Sequence, residues 1–197
     1  RYALCVATVD PRKNLSLLVD VWERMVREFG PERVPLLLLA GHRGYQSAEF
    51  FRRLRETGHV GGRVRFMERV TNEALESLYR HAYFTVFPSR AEGWGLPVEE
   101  SLIHGRPIFC SNATSLPEVG GDLALYFDPD DVEEAYGRIS RAVREPGHVD
   151  ELAERIRRDY RPHSWIAAME EIVRVIQGEC AARAGGRNQA EAVASAR

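Results

Sequence analysis

Apolar residues run along this chain in short unbroken stretches, each followed by a segment in which they recur every three or four positions. Tyr2–Val9 is the first stretch. Asp10-Pro11 ends it, and Leu15, Leu18, Trp22, Met25 and Phe29 then mark one face of a helix with Asn14 as its expected N-cap. Pro35–Ala40 is a second stretch, closed by Gly41, and Ser47–Thr57 follows with Phe50, Phe51 and Leu54 on one side. Arg63–Met67 and Thr71–Arg80 repeat the pair, with Thr71 placed to cap the helix. Tyr83–Phe87 leads through a glycine-punctuated loop into a helix with Pro97 near its start and Gly105 just past its end. Pro107–Cys110, a short turn or helix from Ser115, Leu123–Phe127 and a helix opening near Asp131 complete the series.

Near-continuous apolar strands alternating with amphipathic helices predict a parallel sheet covered on both faces, an α/β domain of the Rossmann-like doubly wound kind. Ligands of such sheets sit beyond the carboxyl ends of the strands, so the loops there are where chemistry is sought. From about Val149 the pattern is helical, with Leu152, Ile156, Trp165, Met169, Ile172, Val173 and Ile176 in apolar stripes. Trp22 and Trp165 are expected in the core rather than against a ligand. Residues 1–178 are expected to form the domain with its C-terminal helices, and the Ala-, Gly- and polar-rich residues 179–197 an extended or frayed tail.

Composition narrows the function classes. A chain of 197 residues, 44% hydrophobic and 28% charged, is long enough for the core of one domain. Its formal charge of −2 supplies no net field for nucleic acid or anionic lipid, so any phosphate must be held by local groups. Cys5, Cys110 and Cys180 lack metal or redox spacing and read as reduced thiols of a cytoplasmic protein. No apolar run approaches the roughly 20 residues of a membrane span, and the chain begins inside a strand rather than with a signal peptide. A soluble piece of a longer protein is the expectation.

Two loops at strand ends carry candidate chemistry. Thr8–Asn14 joins the first strand to the first helix and holds Arg12 and Lys13, the only lysine of the chain. Two cations at a helix start form an anion site; an Arg-Lys pair in a loop is more often merely solvated, but the strand-end position and the lone lysine favour the anion site here. The second loop runs Phe87-Pro88-Ser89-Arg90-Ala91-Glu92-Gly93-Trp94-Gly95-Leu96-Pro97-Val98-Glu99-Glu100. Gly93 and Gly95 let backbone amides approach a ligand, Glu92 offers an acceptor for hydroxyls, and Glu100 lies about one turn into the helix. Glu99 reads as an acidic residue favoured by a helix N-terminus.

The segment Glu92-Gly-Trp-Gly-Leu-Pro-Val-Glu-Glu100 resembles the signature of the family-four (group 1) retaining glycosyltransferases. Pro11-Arg12-Lys13-Asn14, the strand ending in Gly41, Leu78-Tyr79, Pro88-Ser89, Gly105-Arg106-Pro107, Leu116-Pro117-Glu118-Val119 and Asp128-Pro129-Asp130 extend the resemblance, in order, over residues 2 to 145. It implies the C-terminal half of a GT-B fold, binding a nucleoside-diphosphate sugar as donor substrate with no further cofactor. Lys13 would meet the diphosphate and Glu92 the sugar hydroxyls, as the catalytic pair, and Glu100 would meet the ribose hydroxyls. The amides of Trp94, Gly95 and Leu96 would contact sugar or phosphate. Arg12, Gly41 and Ser89 join this donor-binding set, and Val70, in the loop Met67–Val70, would lie against the base. Ala7-Thr8 stands where many members have a phosphate-binding arginine, which leaves Arg12 or Arg90 to supply a second cation.

The acceptor site, any catalytic histidine and any membrane contact would belong to an N-terminal domain, and the full enzyme would work in the cytoplasm, at the inner membrane face if at any. A hexose would move, with retention, to a glycan or lipid-linked acceptor, and mannose is one candidate. The isolated chain is expected to fold but not to transfer sugar. Asp128, Asp130 and Asp131 read as capping residues rather than a metal motif, and His104 as a helix-end residue. A sugar-nucleotide epimerase of the same fold and a catalytically silent nucleotide-binding or interaction module are the competing readings.

Overall fold

The computed structural model describes residues 1–162, 166 and 168–178. They fall into two compact units, Arg1–Tyr160 and the segment from Arg161 on. In the first unit, six parallel strands, β1 (Tyr2–Val6), β2 (Leu36–Gly41), β3 (Val64–Glu68), β4 (Phe84–Phe87), β5 (Ile108–Ser111) and β6 (Leu125–Phe127), lie in the order β3-β2-β1-β4-β5-β6. That order is the doubly wound arrangement, and the direction in which successive strands are added reverses between β1 and β4. The helices are α1 (Leu15–Phe29), α2 (Ser47–Glu56), α3 (Gly58–Gly62, a short turn at positive φ rather than a regular helix), α4 (Asn72–His81), α5 (Leu96–Ile103), α6 (Leu116–Gly120), α7 (Val132–Arg144) and α8 (Pro146–Asp159).

Alternation along each strand feeds both faces. Ala3 and Cys5 of β1, Leu37 and Leu39 of β2, and Phe84 and Val86 of β4 join one cluster with Leu18, Trp22 and Met25 of α1 and Ile139 of α7. Leu4, Leu38 and Ala40 point the other way and pack with Tyr79 of α4, while Phe87 and Ile108 pack with Val98 and Leu102 of α5. Trp22 is wholly buried, as expected, and its indole N–H donates to the Pro35 carbonyl at 2.9 Å.

Thr71 caps α4 by accepting from the Ala74 amide, and Asp131 caps α7 by accepting from Glu134. Asn14 occupies the N-cap position of α1 as expected but makes no side-chain cap bond. It sits in the left-handed region (φ 54), and its side-chain N–H donates instead to the Pro129 carbonyl at 2.8 Å. β1 ends at Val6, three residues before the expected Val9, which forms an isolated bridge with Arg43. The loop toward Lys13 therefore starts earlier.

Gly41 closes β2 against the exit of β1. A methyl group there would lie 2.0 Å from the Ala7 carbonyl oxygen and 2.7 Å from its carbon, backbone atoms that no rotamer change removes. Gly41→Ala is expected to lower stability by about 2–3 kcal/mol. Urea titration checks this, and an unchanged midpoint would mean that the β1 exit is free to shift.

In the second unit, residues 168–178 are helical, and Met169, Ile172, Val173 and Ile176 of the expected stripe are about half exposed. Trp165, Cys180 and the expected tail 179–197 lie outside the described residues.

Candidate active site

The reversal between β1 and β4 parts the loops that follow them, and the Arg12, Lys13 and Glu92 side chains meet there. Asp10 accepts from the amides of Arg12 (2.9 Å) and Lys13 (3.2 Å) and so folds Pro11–Lys13 into one 3-10 turn. Pro11 presets its first position, and Asn14 ends it in the left-handed conformation. The turn projects Arg12 and Lys13 toward the β4 loop. Ser89 and Arg90 grip the Arg12 carbonyl from that loop, through the Ser89 hydroxyl at 3.2 Å and the Arg90 amide at 2.8 Å.

Glu92 is the hub. Its Oε1 accepts from Lys13 Nζ and from Ser89 Oγ, each at 2.5 Å, and its Oε2 accepts from Arg12 Nη1 at 3.1 Å. Burial alone would raise the Glu92 carboxyl. Lys13, Ser89 and Arg12 outweigh that and hold it below the usual glutamate value. Lys13 is mostly buried, with its ammonium 5.3 Å from the centre of the Phe87 ring, whereas half of the Arg12 side chain faces solvent. Two cations against one carboxylate leave this cluster with a net positive charge.

Arg12 and Arg90 point in different directions. Arg90 Nε donates to Asp130 at 3.0 Å, beside a groove of about 760 Å³ whose walls also carry Asp10, Asp20 and Glu49. Carboxylates make that groove a poor place for a diphosphate. Arg12, beside Lys13, supplies the second cation of the cluster.

Gly95 begins α5 with φ 117, a conformation that favours glycine, and a methyl group there would strike Leu116 at 2.5 Å. Trp94 and Leu96 are exposed on either side of it. The α6 end pins this loop: Ser115 Oγ donates to the Trp94 carbonyl at 2.7 Å, and Thr114 Oγ1 accepts from the Glu92 amide at 2.9 Å. Sequence reasoning missed both residues, because a serine or threonine before a short helix reads as a cap. It also gave Glu99 only a helix-dipole role, whereas Glu99 accepts from the Trp94 indole at 3.0 Å.

Glu100 faces α4, where its Oε2 accepts from the Tyr79 hydroxyl at 2.7 Å. Val70 packs into the Leu4, Leu38 and Tyr79 cluster, on the same side of the sheet, just after Arg69 at φ 57. His104 ends α5 as expected, its backbone N–H donating to the Glu100 carbonyl, and its ring stacks on Tyr79. Asp128 and Asp131 accept from nearby amides, and Asp130 pairs with Arg90.

Solved structures of the same architecture place this domain in a class. It matches 90% of itself to 49% of Anabaena HepE in complex with UDP, with a TM-score of 0.70 at 16% identity. It matches 80% of itself to 42% of WaaG, a glycosyltransferase involved in lipopolysaccharide biosynthesis, with a TM-score of 0.67 at 17% identity. The fold is that of a GT-B Rossmann-like half. Residues 1–158 match the model of the group 1 glycosyl transferases, and the chain belongs to that family. It is 39% identical over 144 residues to O-antigen chain mannosyltransferase B of Escherichia coli, covering 73% of this chain and 37% of the relative. It is also 30% identical over 200 residues to the serotype-specific mannosyltransferase WbdA of the same species, covering all of this chain and 24% of the relative. The chain thus spans well under half of the curated relatives it matches. Among the described residues no helix is long and apolar enough to cross a membrane.

Proposed function

We propose that this chain is the donor-binding half of a retaining hexosyltransferase, taking a nucleoside-diphosphate sugar, with mannose as the sugar best supported by the names of its relatives. The observation that carries this reading is the Lys13–Glu92–Arg12 cluster, assembled from two loops at the switch point of the sheet. Family membership supports a transferase over an epimerase or a silent module.

Lys13 and Arg12 receive the diphosphate. As the bond from the anomeric carbon to the phosphate oxygen lengthens, charge collects on the leaving diphosphate, and fixed cations at that point stabilise the transition state. Displaced from its cations, Glu92 turns to the sugar hydroxyls, still held at Oε1 by Ser89. The amides of Trp94, Gly95 and Leu96, ahead of the first intrahelical bonds of α5, add donors for sugar or phosphate. Glu100 takes the ribose hydroxyls, and Val70 borders the base. Gly41 keeps the β1 exit close to β2, so it shapes the donor site through the backbone.

The acceptor site and any catalytic histidine belong to a further, N-terminal domain, as the short share of the relatives' length supports. That domain also makes any membrane contact, at the cytoplasmic face. The buried free thiols Cys5 and Cys110 fit a reducing compartment. The test is a transfer assay with nucleotide-linked mannose. The intact enzyme should transfer, and the isolated chain should bind donor without transferring it. Robust transfer by the isolated chain would overturn the half-enzyme reading. Donor binding needs no divalent metal, because amides and cations do the phosphate work. Affinity should therefore survive EDTA, and a loss restored by manganese would reassign Asp128, Asp130 and Asp131.

A further inference from the structure

Tyr79 has no part in the chemistry above, yet its phenol is placed with care. The ring is 2% exposed and packs among Leu4, Leu38, Ala40 and Ala82. A hydroxyl buried there needs a partner, and it finds Glu100 Oε2 at 2.7 Å, on the neighbouring helix. His104, the residue that ends α5, lies four residues after Glu100 and so on the same side of the helix. The His104 ring lies parallel to that of Tyr79, with centroids 5.5 Å apart and planes 9° apart, so α5 holds the phenol from two points. Burial first, and then the Glu100 carboxylate, push the phenol well above its usual pKa, so it remains a donor throughout the working pH range.

A glutamate has three rotatable bonds, and freezing them on ligand binding costs affinity. Anchoring one carboxylate oxygen beforehand removes most of that cost and fixes where the other oxygen points. We propose that Tyr79 is a positioning residue that holds Glu100 Oε2 so that Oε1 meets the vicinal ribose hydroxyls, making the donor site selective for ribonucleotides. This rests on the reading that Glu100 takes the ribose. A hydrogen bond that only ties α4 to α5 would affect stability and leave that selectivity unchanged.

The experiment titrates the intact enzyme with UDP and GDP and with their 2′,3′-dideoxy analogues. Wild type, Tyr79→Phe, Glu100→Ala and the double variant are compared. Phenylalanine keeps the ring, its packing and the His104 stack, and half-buried Glu100 still reaches water, so the variant retains the fold. Wild type should prefer the ribonucleotide by about tenfold or more. Tyr79→Phe should lower that preference about three- to tenfold with dideoxynucleotide affinity unchanged, and it should add nothing in the Glu100→Ala background. No preference in wild type would overturn the Glu100 assignment and this inference with it. A full preference retained in Tyr79→Phe, or an equal loss for both nucleotide forms, would overturn the role of Tyr79 alone.

Discussion

Lys13→Ala is expected to weaken nucleoside-diphosphate binding by about 10- to 100-fold, the worth of a hydrogen bond to a charged group in a partly shielded site. Lys13 is mostly buried beside Phe87, and its single charge is already held by Glu92 at 2.5 Å. A diphosphate that enters must take that ammonium over. Binding of the bare nucleoside should hardly change, since nothing in it needs the cation. Lys13→Arg should recover only part of the loss, because a planar fork cannot occupy the position of a compact ammonium. Titration at fixed salt reads both variants, since screening would otherwise blur the comparison. Equal diphosphate affinity in Lys13→Ala and wild type would remove the lysine from the site.

Glu92→Gln should move two measurements in opposite directions. The carboxylate competes with the diphosphate for Lys13 and Arg12, so its neutralisation should tighten binding of the sugar-free diphosphate about two- to fivefold. The same change removes a charged acceptor for sugar hydroxyls, so kcat/KM for transfer by the intact enzyme should fall about 10- to 100-fold. A pH signature accompanies this. The folded carboxyl titrates below the unfolded value of about 4.3, so its stabilising contribution is present above that pH. It is lost as pH falls through the depressed folded value, and thermal melts of Glu92→Gln should lack that part of the acid limb. Parallel losses in diphosphate binding and turnover would contradict the competition between carboxylate and phosphate.

Much of this fold is legible in the chain because its signals are local. Strand runs, helix stripes and the caps Thr71 and Asp131 each lie within a few residues of what they determine. The cluster of Lys13 and Glu92 is legible only through the family resemblance, since 79 residues separate them. What escapes is similarly long-range. Asn14 looks like a cap, but its side chain is drawn to Pro129, 115 residues on, where a buried carbonyl outweighs the local helix end. Thr114 and Ser115 hold the glycine loop across more than 20 residues, and Tyr79 reaches Glu100 across 21. The turn Gly58–Gly62 was missed for another reason. Its residues, including His59 and Val60, take positive φ, a choice that glycine makes easy but periodicity cannot register.

Calorimetric titration of this chain reads whether the loops after β1 and β4 form a diphosphate site. The ligands are UDP, GDP and ADP, each beside its own nucleoside. At least one diphosphate should bind, about tenfold or more tightly than its nucleoside, through the cations at Lys13 and Arg12. Diphosphate and nucleoside bound equally, or no binding of any of the three diphosphates, would contradict it.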